Sequence, residues 1–229
     1  MPTILAIETS SELASAALLH NGQLLFREAS GFQTHSQTLL PMVQAVLAEA
    51  GIALADVDAI GFGAGPGSFT GVRTACGVAQ GLGFGAGRPL VPVVTLEAMA
   101  EACRSETGAA DVLVLLDARM EEVYWAQYRW CDGWQTVIAP RLGPAAAVAA
   151  EGEVVACGNG LAAYASAFAP MPFAARGLAH VMPHAKQIAL LAARRFAAGV
   201  SVDPREASPL YLRDKVALTT SERNARAAA

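Results

Sequence analysis

Two carboxylates stand where chemistry could begin. Glu8 ends the apolar run Ile4-Leu5-Ala6-Ile7, and Asp117 ends the run Val112-Leu113-Val114-Leu115-Leu116. Oxygen ligands opposed across a cleft could hold Mg²⁺, and through it the phosphates of a nucleotide. A second candidate is the glycine-rich run Gly65-Pro66-Gly67-Ser68-Phe69-Thr70-Gly71-Val72-Arg73. Free amides at the start of the following helix could hold an anion, or the loop could present Phe69 and Arg73 to a partner. No Gly-Lys-Ser/Thr follows at phosphate-loop spacing, so that motif is excluded. Ser10, Ser36, Ser68 and Cys76 are possible nucleophiles, yet Gly-x-Ser-x-Gly is absent and Ser68 suits a helix cap. His180 and His184 have the spacing of a helical metal pair. Pro183 between them argues for a loop leading into a helix N-terminus instead.

The elements that carry these residues repeat. After the first strand, 14–19 returns and Asn21-Gly22 makes a type I′ hairpin into Leu24-Leu25-Phe26. After Asp117 the chain turns through Ala118-Arg119-Met120-Glu121, returns over 123–130, and repeats the hairpin at Asp132-Gly133. Helical patterning follows each meander, including 39–50 with Leu39 and Val43 on its apolar stripe, and Pro41 in its first turn. The reading is α/β: two duplicated domains, each a mixed sheet flanked by helices. Residues 1–106 form the first domain with its association helices, 107–216 the second, and 217–229 a polar, unpatterned tail expected to be disordered. Tyr124, Tyr128 and Trp130 share one face of a strand, and Val123, Trp125 and Gln127 the other, which suits core packing better than base stacking.

The helix opened by the glycine run is the most unusual element. Gly77, Gly81 and Gly85 recur every four residues in line with Arg73. Each costs roughly 1 kcal/mol relative to alanine inside a helix, so a compensating close contact is expected. Either a helix of the same domain or a subunit interface would supply it.

Composition sets the frame. The 229 residues are 54% hydrophobic and 16% charged, with a net charge of −4. That supports a real core and argues against a lone nucleic-acid binder, which usually shows a basic footprint. No apolar run reaches the roughly 20 residues that span a bilayer. Cys76, Cys103, Cys131 and Cys157 form no Cys-x-x-Cys pair, so free thiols and a cytoplasmic location are expected.

The duplicated arrangement resembles the actin/sugar-kinase/Hsp70 superfamily, whose two ribonuclease H-like domains clasp a nucleotide. Within it, Ile4-Leu5-Ala6-Ile7-Glu8-Thr9-Ser10, Leu40-Pro41-Met42-Val43, the 65–73 loop, 116–125 and Tyr211-Leu212-Arg213 resemble the TsaB (YeaZ) family, in order along the chain to about Arg213. The resemblance implies a non-catalytic scaffold in making N6-threonylcarbamoyladenosine at tRNA position 37. It implies pairing with the catalytic TsaD and the ATPase TsaE, with TsaC supplying the threonylcarbamoyl-adenylate. A homodimer is expected when the chain is alone, and tRNA contact only through the complex. The expected association surface comprises Leu39, Val43, Phe69, Arg73, Gly77, Gly81 and Gly85. The resemblance requires no cofactor of this chain, and ATP or ADP would lie at a partner interface. TsaD proteins carry a His-x-x-x-His metal pair just after the segment matching 88–93; here Val94-Thr95-Leu96-Glu97-Ala98-Met99-Ala100 contains no histidine. The turns after Glu8 and Asp117 also lack the glycine with which superfamily enzymes admit phosphates. An ATP-dependent phosphotransferase using Glu8 and Asp117 is the alternative, and a glycoprotease-like hydrolase a more distant one.

Overall fold

The computed structural model describes residues 1–30 and 35–213, so the expected tail at 217–229 lies outside the described residues. Strands β1 (Ile4–Glu8), β2 (Leu13–His20) and β3 (Gln23–Ser30) form the first meander. Helix α1 (His35–Ala50), β4 (Ala59–Gly65), α2 (Phe69–Ala86), β5 (Leu90–Val94) and α3 (Thr95–Thr107) follow. The second meander is β6 (Asp111–Asp117), β7 (Glu122–Trp130) and β8 (Trp134–Pro144), followed by β9 (Val155–Cys157), α4 (Gly160–Ala163), α5 (Ala165–Phe168) and α6 (Ala185–Ala197). One sheet has the order β3-β2-β1-β4-β5 and the other β8-β7-β6-β9, so each adds parallel strands to the first strand of an antiparallel meander. Asn21 and Gly22 both have positive φ, as the hairpin requires.

Both sheets are covered on both faces. Leu5, Ile7, Leu18, Ile60 and Phe62 pack under α1 and α2, while Ile4, Ala6, Leu19, Val91 and Val93 pack under α6. In the second sheet Val112, Val114, Tyr124 and Tyr128 meet α3, and Leu113, Leu115, Val123 and Trp125 fill the opposite core. Tyr124, Tyr128 and Trp125 of β7 thus split between faces as their alternation predicts and are core, while Trp130 at the strand end is only half-buried, with Arg104 and Arg194 over its ring.

The division expected at 106/107 follows the chain but not the packing. Helix α3, from the first half, covers the second sheet, and α6, from the second half, returns to the first. Arg195 pairs with Glu97 at 2.5 Å and Arg194 with Glu101 at 3.2 Å, tying the exchanged helices together. Helical periodicity records that a face is apolar, not which sheet it covers. Helix α1 starts at His35, earlier than expected, so Pro41 lies inside it. Pro41 and Gln37 are both exposed, so the carbonyl left without a donor by the proline faces water.

Candidate functional site

The turn after β1 and the turn after β6 face each other across a cleft. Arg119 reaches over to Glu12 at 2.8 Å, with both side chains mostly exposed. The cavity between them has a volume of about 470 Å³, and its walls include Ser11, Ser68, Asp117, Met120, Asn159 and Tyr211. Asp117 is held firmly. Its Oδ1 accepts hydrogen bonds from Tyr164 Oη at 2.8 Å and from the Arg119 amide at 2.9 Å, while its own amide donates to Asn159 Oδ1 at 2.9 Å. Burial, then the hydrogen bond to Asp117, push the Tyr164 hydroxyl up to about 12. The turn itself is strained, since Arg119, Met120 and Glu121 have φ of 60°, 57° and 62°. Side chains with a Cβ seldom adopt that left-handed region even singly.

Glu8 does not share this cleft. It is fully buried, with Oε1 accepting from the Ser10 amide at 2.5 Å and Oε2 without a partner. Burial pushes its carboxyl above the ordinary value of 4.5, which favours the neutral form. The side chain lies over β4, where a Cβ on Gly63 would stand 1.8 Å from Oε2. The expected pair of opposed carboxylates is therefore corrected: Asp117 lines the cavity and Glu8 is an internal acid. Strand alternation places Glu8 on the face of Ile4 and Ala6 but could not show that this face is closed over the strand end.

The expected association residues divide. Leu39 and Val43 are buried, 0% and 2% exposed, in the core beneath α1, and this removes them from any partner surface. They are the stripe that holds α1 to its own sheet; Leu40, 45% exposed, is the apolar residue that α1 turns outward. On α2, Phe69, Arg73, Gly77, Gly81 and Gly85 are all exposed along one face. A Cβ at Gly77, Gly81 or Gly85 would meet nothing within 4 Å, so among the described residues no helix covers the stripe. Phe84 extends the face at 68% exposure. The inward glycines have another purpose: a Cβ on Gly71 would come 2.0 Å from the Thr9 carbonyl oxygen, and one on Gly83 2.7 Å from Leu90. Ser68 caps α2, accepting from the Gly71 amide at 3.4 Å.

The remaining candidates are structural. His184 caps α6, accepting from the Lys186 amide at 3.0 Å, and faces Glu28, while His180 faces Glu106. The two rings thus serve different carboxylates, and among the described residues no three His, Cys, Asp or Glu side chains gather as a metal site. In the 94–100 segment, Thr95 Oγ1 accepts from the Gly65 amide at 3.1 Å and Glu97 is bound to Arg195. Tyr211 is the contact residue that pattern reasoning left without a role: it stacks by Phe69, ring centroids 6.3 Å apart, and accepts from Arg73 Nε at 2.8 Å. It follows the last helix in irregular chain, where no periodicity marks it.

Two α/β halves with meander-plus-parallel sheets, and a cleft between their first turns, make an α/β protein of two mixed sheets flanked by helices, an arrangement consistent with the ribonuclease H-like, actin-related class. Comparison with known proteins narrows this. The family model described as TsaD: tRNA N6-adenosine threonylcarbamoyltransferase matches residues 28–220. The tRNA threonylcarbamoyladenosine biosynthesis protein TsaB of Escherichia coli K12 is 38% identical over 221 residues, covering 93% of this chain and 96% of the relative. The protein of the same name from Haemophilus influenzae is 36% identical, covering 93% and 94%. The solved structure of YeaZ from Pseudomonas aeruginosa superimposes with a TM-score of 0.86 at 40% identity, covering 93% of this chain and all of that one. The chain belongs to the TsaB (YeaZ) family and so to tRNA threonylcarbamoyladenosine biosynthesis.

Proposed function

We propose that this chain is the non-catalytic scaffold subunit of a threonylcarbamoyl-transferase complex, using the exposed face of α2 with the outer side of α1 to hold a TsaD-type catalytic subunit. The observation that carries the reading is the open stripe at Gly77, Gly81 and Gly85, three helix-weakening residues where an added Cβ would meet none of the described residues within 4 Å. Removing side chains lets a partner helix approach closely, Phe69 and Phe84 of α2 add apolar surface beside the stripe, and Leu40 adds it on the outer side of α1. The same face serves a second copy when the catalytic subunit is absent, so the homodimer and the complex exclude each other. A TsaE-type ATPase joins the assembly, ATP or ADP lies at a partner interface, and tRNA is met only through the complex in the cytoplasm. The chain itself needs no cofactor.

Two features support a non-catalytic role. Thr95 and Glu97, in the segment where TsaD relatives carry their histidine pair, are committed to Gly65 and Arg195. The internal position of Glu8 weighs against the phosphotransferase alternative, which requires its carboxylate beside Asp117. Mixing the purified chain with TsaD from the same organism and measuring mass by light scattering tests the reading. A stable heterocomplex is expected, and the chain alone, given tRNA and threonylcarbamoyl-adenylate, should form no modified adenosine. Product formation by the isolated chain, or ATP turnover lost in Asp117→Ala, would overturn it.

A further inference from the structure

The chain beyond α6 does not stay with either sheet. Val202 bridges to Leu90 at the edge of the first sheet, and Ala207 is buried in the first core. The Ala207 carbonyl accepts from Gln80 Nε2 at 3.0 Å and from Cys76 Sγ at 3.7 Å, and the Leu210 amide donates to the Ala64 carbonyl at 2.7 Å. Within three residues the chain is on the other half: Leu212 packs against the second core and Arg213 pairs with Glu122 on β7 at 2.6 Å. Residues 210–213 form part of the cavity wall as they cross. Seven residues without helix or strand thus bridge both halves across the cleft.

What holds the middle of this crossing is slight. Tyr211 is 46% exposed and Phe69 40%. The Arg73 guanidinium lies between them, 3.6 Å from the Phe69 ring centroid and 5.5 Å from that of Tyr211, and its Nε donates to the Tyr211 hydroxyl. Partly exposed contacts of this kind contribute about 0.5–1 kcal/mol each, little enough to be undone by a competing interaction. Arg73 is also the first residue of the open stripe of α2, one turn before Gly77. A helix seated closely on that stripe meets the Arg73 side chain.

We propose that residues 207–213 are a releasable strap over the cleft, latched by Arg73, and that a partner seated on the α2 face unlatches it by drawing Arg73 away from Tyr211. The second half of this statement rests on the association reading given above; the strap itself does not. Coupling of this kind is reciprocal, so whatever frees the strap must strengthen association by the same factor. Unlatching leaves the Arg119–Glu12 pair in place as a tie between the turns after β1 and β6.

Cysteine labelling reads the strap directly. Cys76 is 4% exposed beneath it, Cys131 is exposed, and Cys103 and Cys157 are fully buried in the second core. N-ethylmaleimide labelling of the dilute full chain, followed residue by residue by mass spectrometry, should show Cys131 modified first in every variant. In Tyr211→Ala and in Arg73→Lys, Cys76 should be modified at least tenfold faster than in the parent chain, with Cys103 and Cys157 unchanged. An unchanged Cys76 rate in both variants, or a rise shared equally by all three buried thiols, would overturn the strap. Light scattering of Tyr211→Ala should show self-association strengthened several-fold; unchanged or weakened association would overturn the coupling. Should the parent chain show neither self-association nor TsaD binding, the association reading fails while the Cys76 rates still decide the strap.

Discussion

Replacing Gly77, Gly81 and Gly85 together by alanine separates the cost of the glycine stripe from its use. A Cβ at each position meets none of the described residues within 4 Å, so no repacking is required in the monomer, and stability is compared at concentrations low enough to keep the chain monomeric. Each substitution recovers up to about 1 kcal/mol of helix propensity, giving roughly 2–3 kcal/mol for the three after allowing for helix ends. For a domain of this size that corresponds to a rise in Tm of about 5–10 °C. Circular dichroism during heating, with urea titration as a second measure, would read it. Gly71→Ala is the internal contrast on the same helix, because its Cβ would stand 2.0 Å from a backbone oxygen that cannot move aside. It should destabilise by about 2 kcal/mol or more through overpacking and displaced backbone. The association assay should then run opposite to stability: Gly81→Leu, folded and monomeric, should bind TsaD at least tenfold more weakly, corresponding to about 1.4 kcal/mol or more. An alanine triple variant no more stable than the parent chain would refute the view that the stripe is uncovered. A Gly81→Leu variant that still forms homodimer and heterocomplex at parental affinity would take this face out of the interface.

Glu8 should leave a signature in the pH dependence of stability. Its folded value is raised above 4.5, so its contribution is complete below that value and is lost as pH rises through the folded value. Urea midpoints measured between pH 4.5 and 8 should therefore fall less steeply with pH in Glu8→Gln than in the parent chain, and equal slopes would contradict a buried neutral acid. Met120→Gly should stabilise the chain by roughly 1 kcal/mol, because an exposed residue at φ 57° gives up the left-handed penalty; a destabilised variant would show that side-chain contacts hold the turn. Tyr164→Phe should loosen that turn by removing the hydroxyl that donates to Asp117 and Glu122, read as faster amide exchange at Arg119 and Glu122, with no change expected in β1.

Local rules were enough for much of this protein. The Asn21-Gly22 hairpin, the Ser68 cap, the helix start after Pro183 and the split of Tyr124 and Trp125 across β7 all follow from residue type and period, since each depends on neighbours within a few positions. The repeat of meander and helix gave the duplicated α/β architecture, and the motif order pointed to the family. Tertiary structure decided what period cannot carry. Whether Glu8 can lie buried against the sheet depends on the space left by Gly63, a residue 55 positions away in sequence. Leu39 and Gly81 both lie on helical stripes, and only packing shows one stripe closed against a sheet and the other open to solvent. The exchange of α3 and α6 between sheets, and the meeting of Arg73 with Tyr211, join segments that no local energy term links. A sequence fixes which faces are apolar through local periodicity; which of them find each other is settled by the burial available once the whole chain has closed.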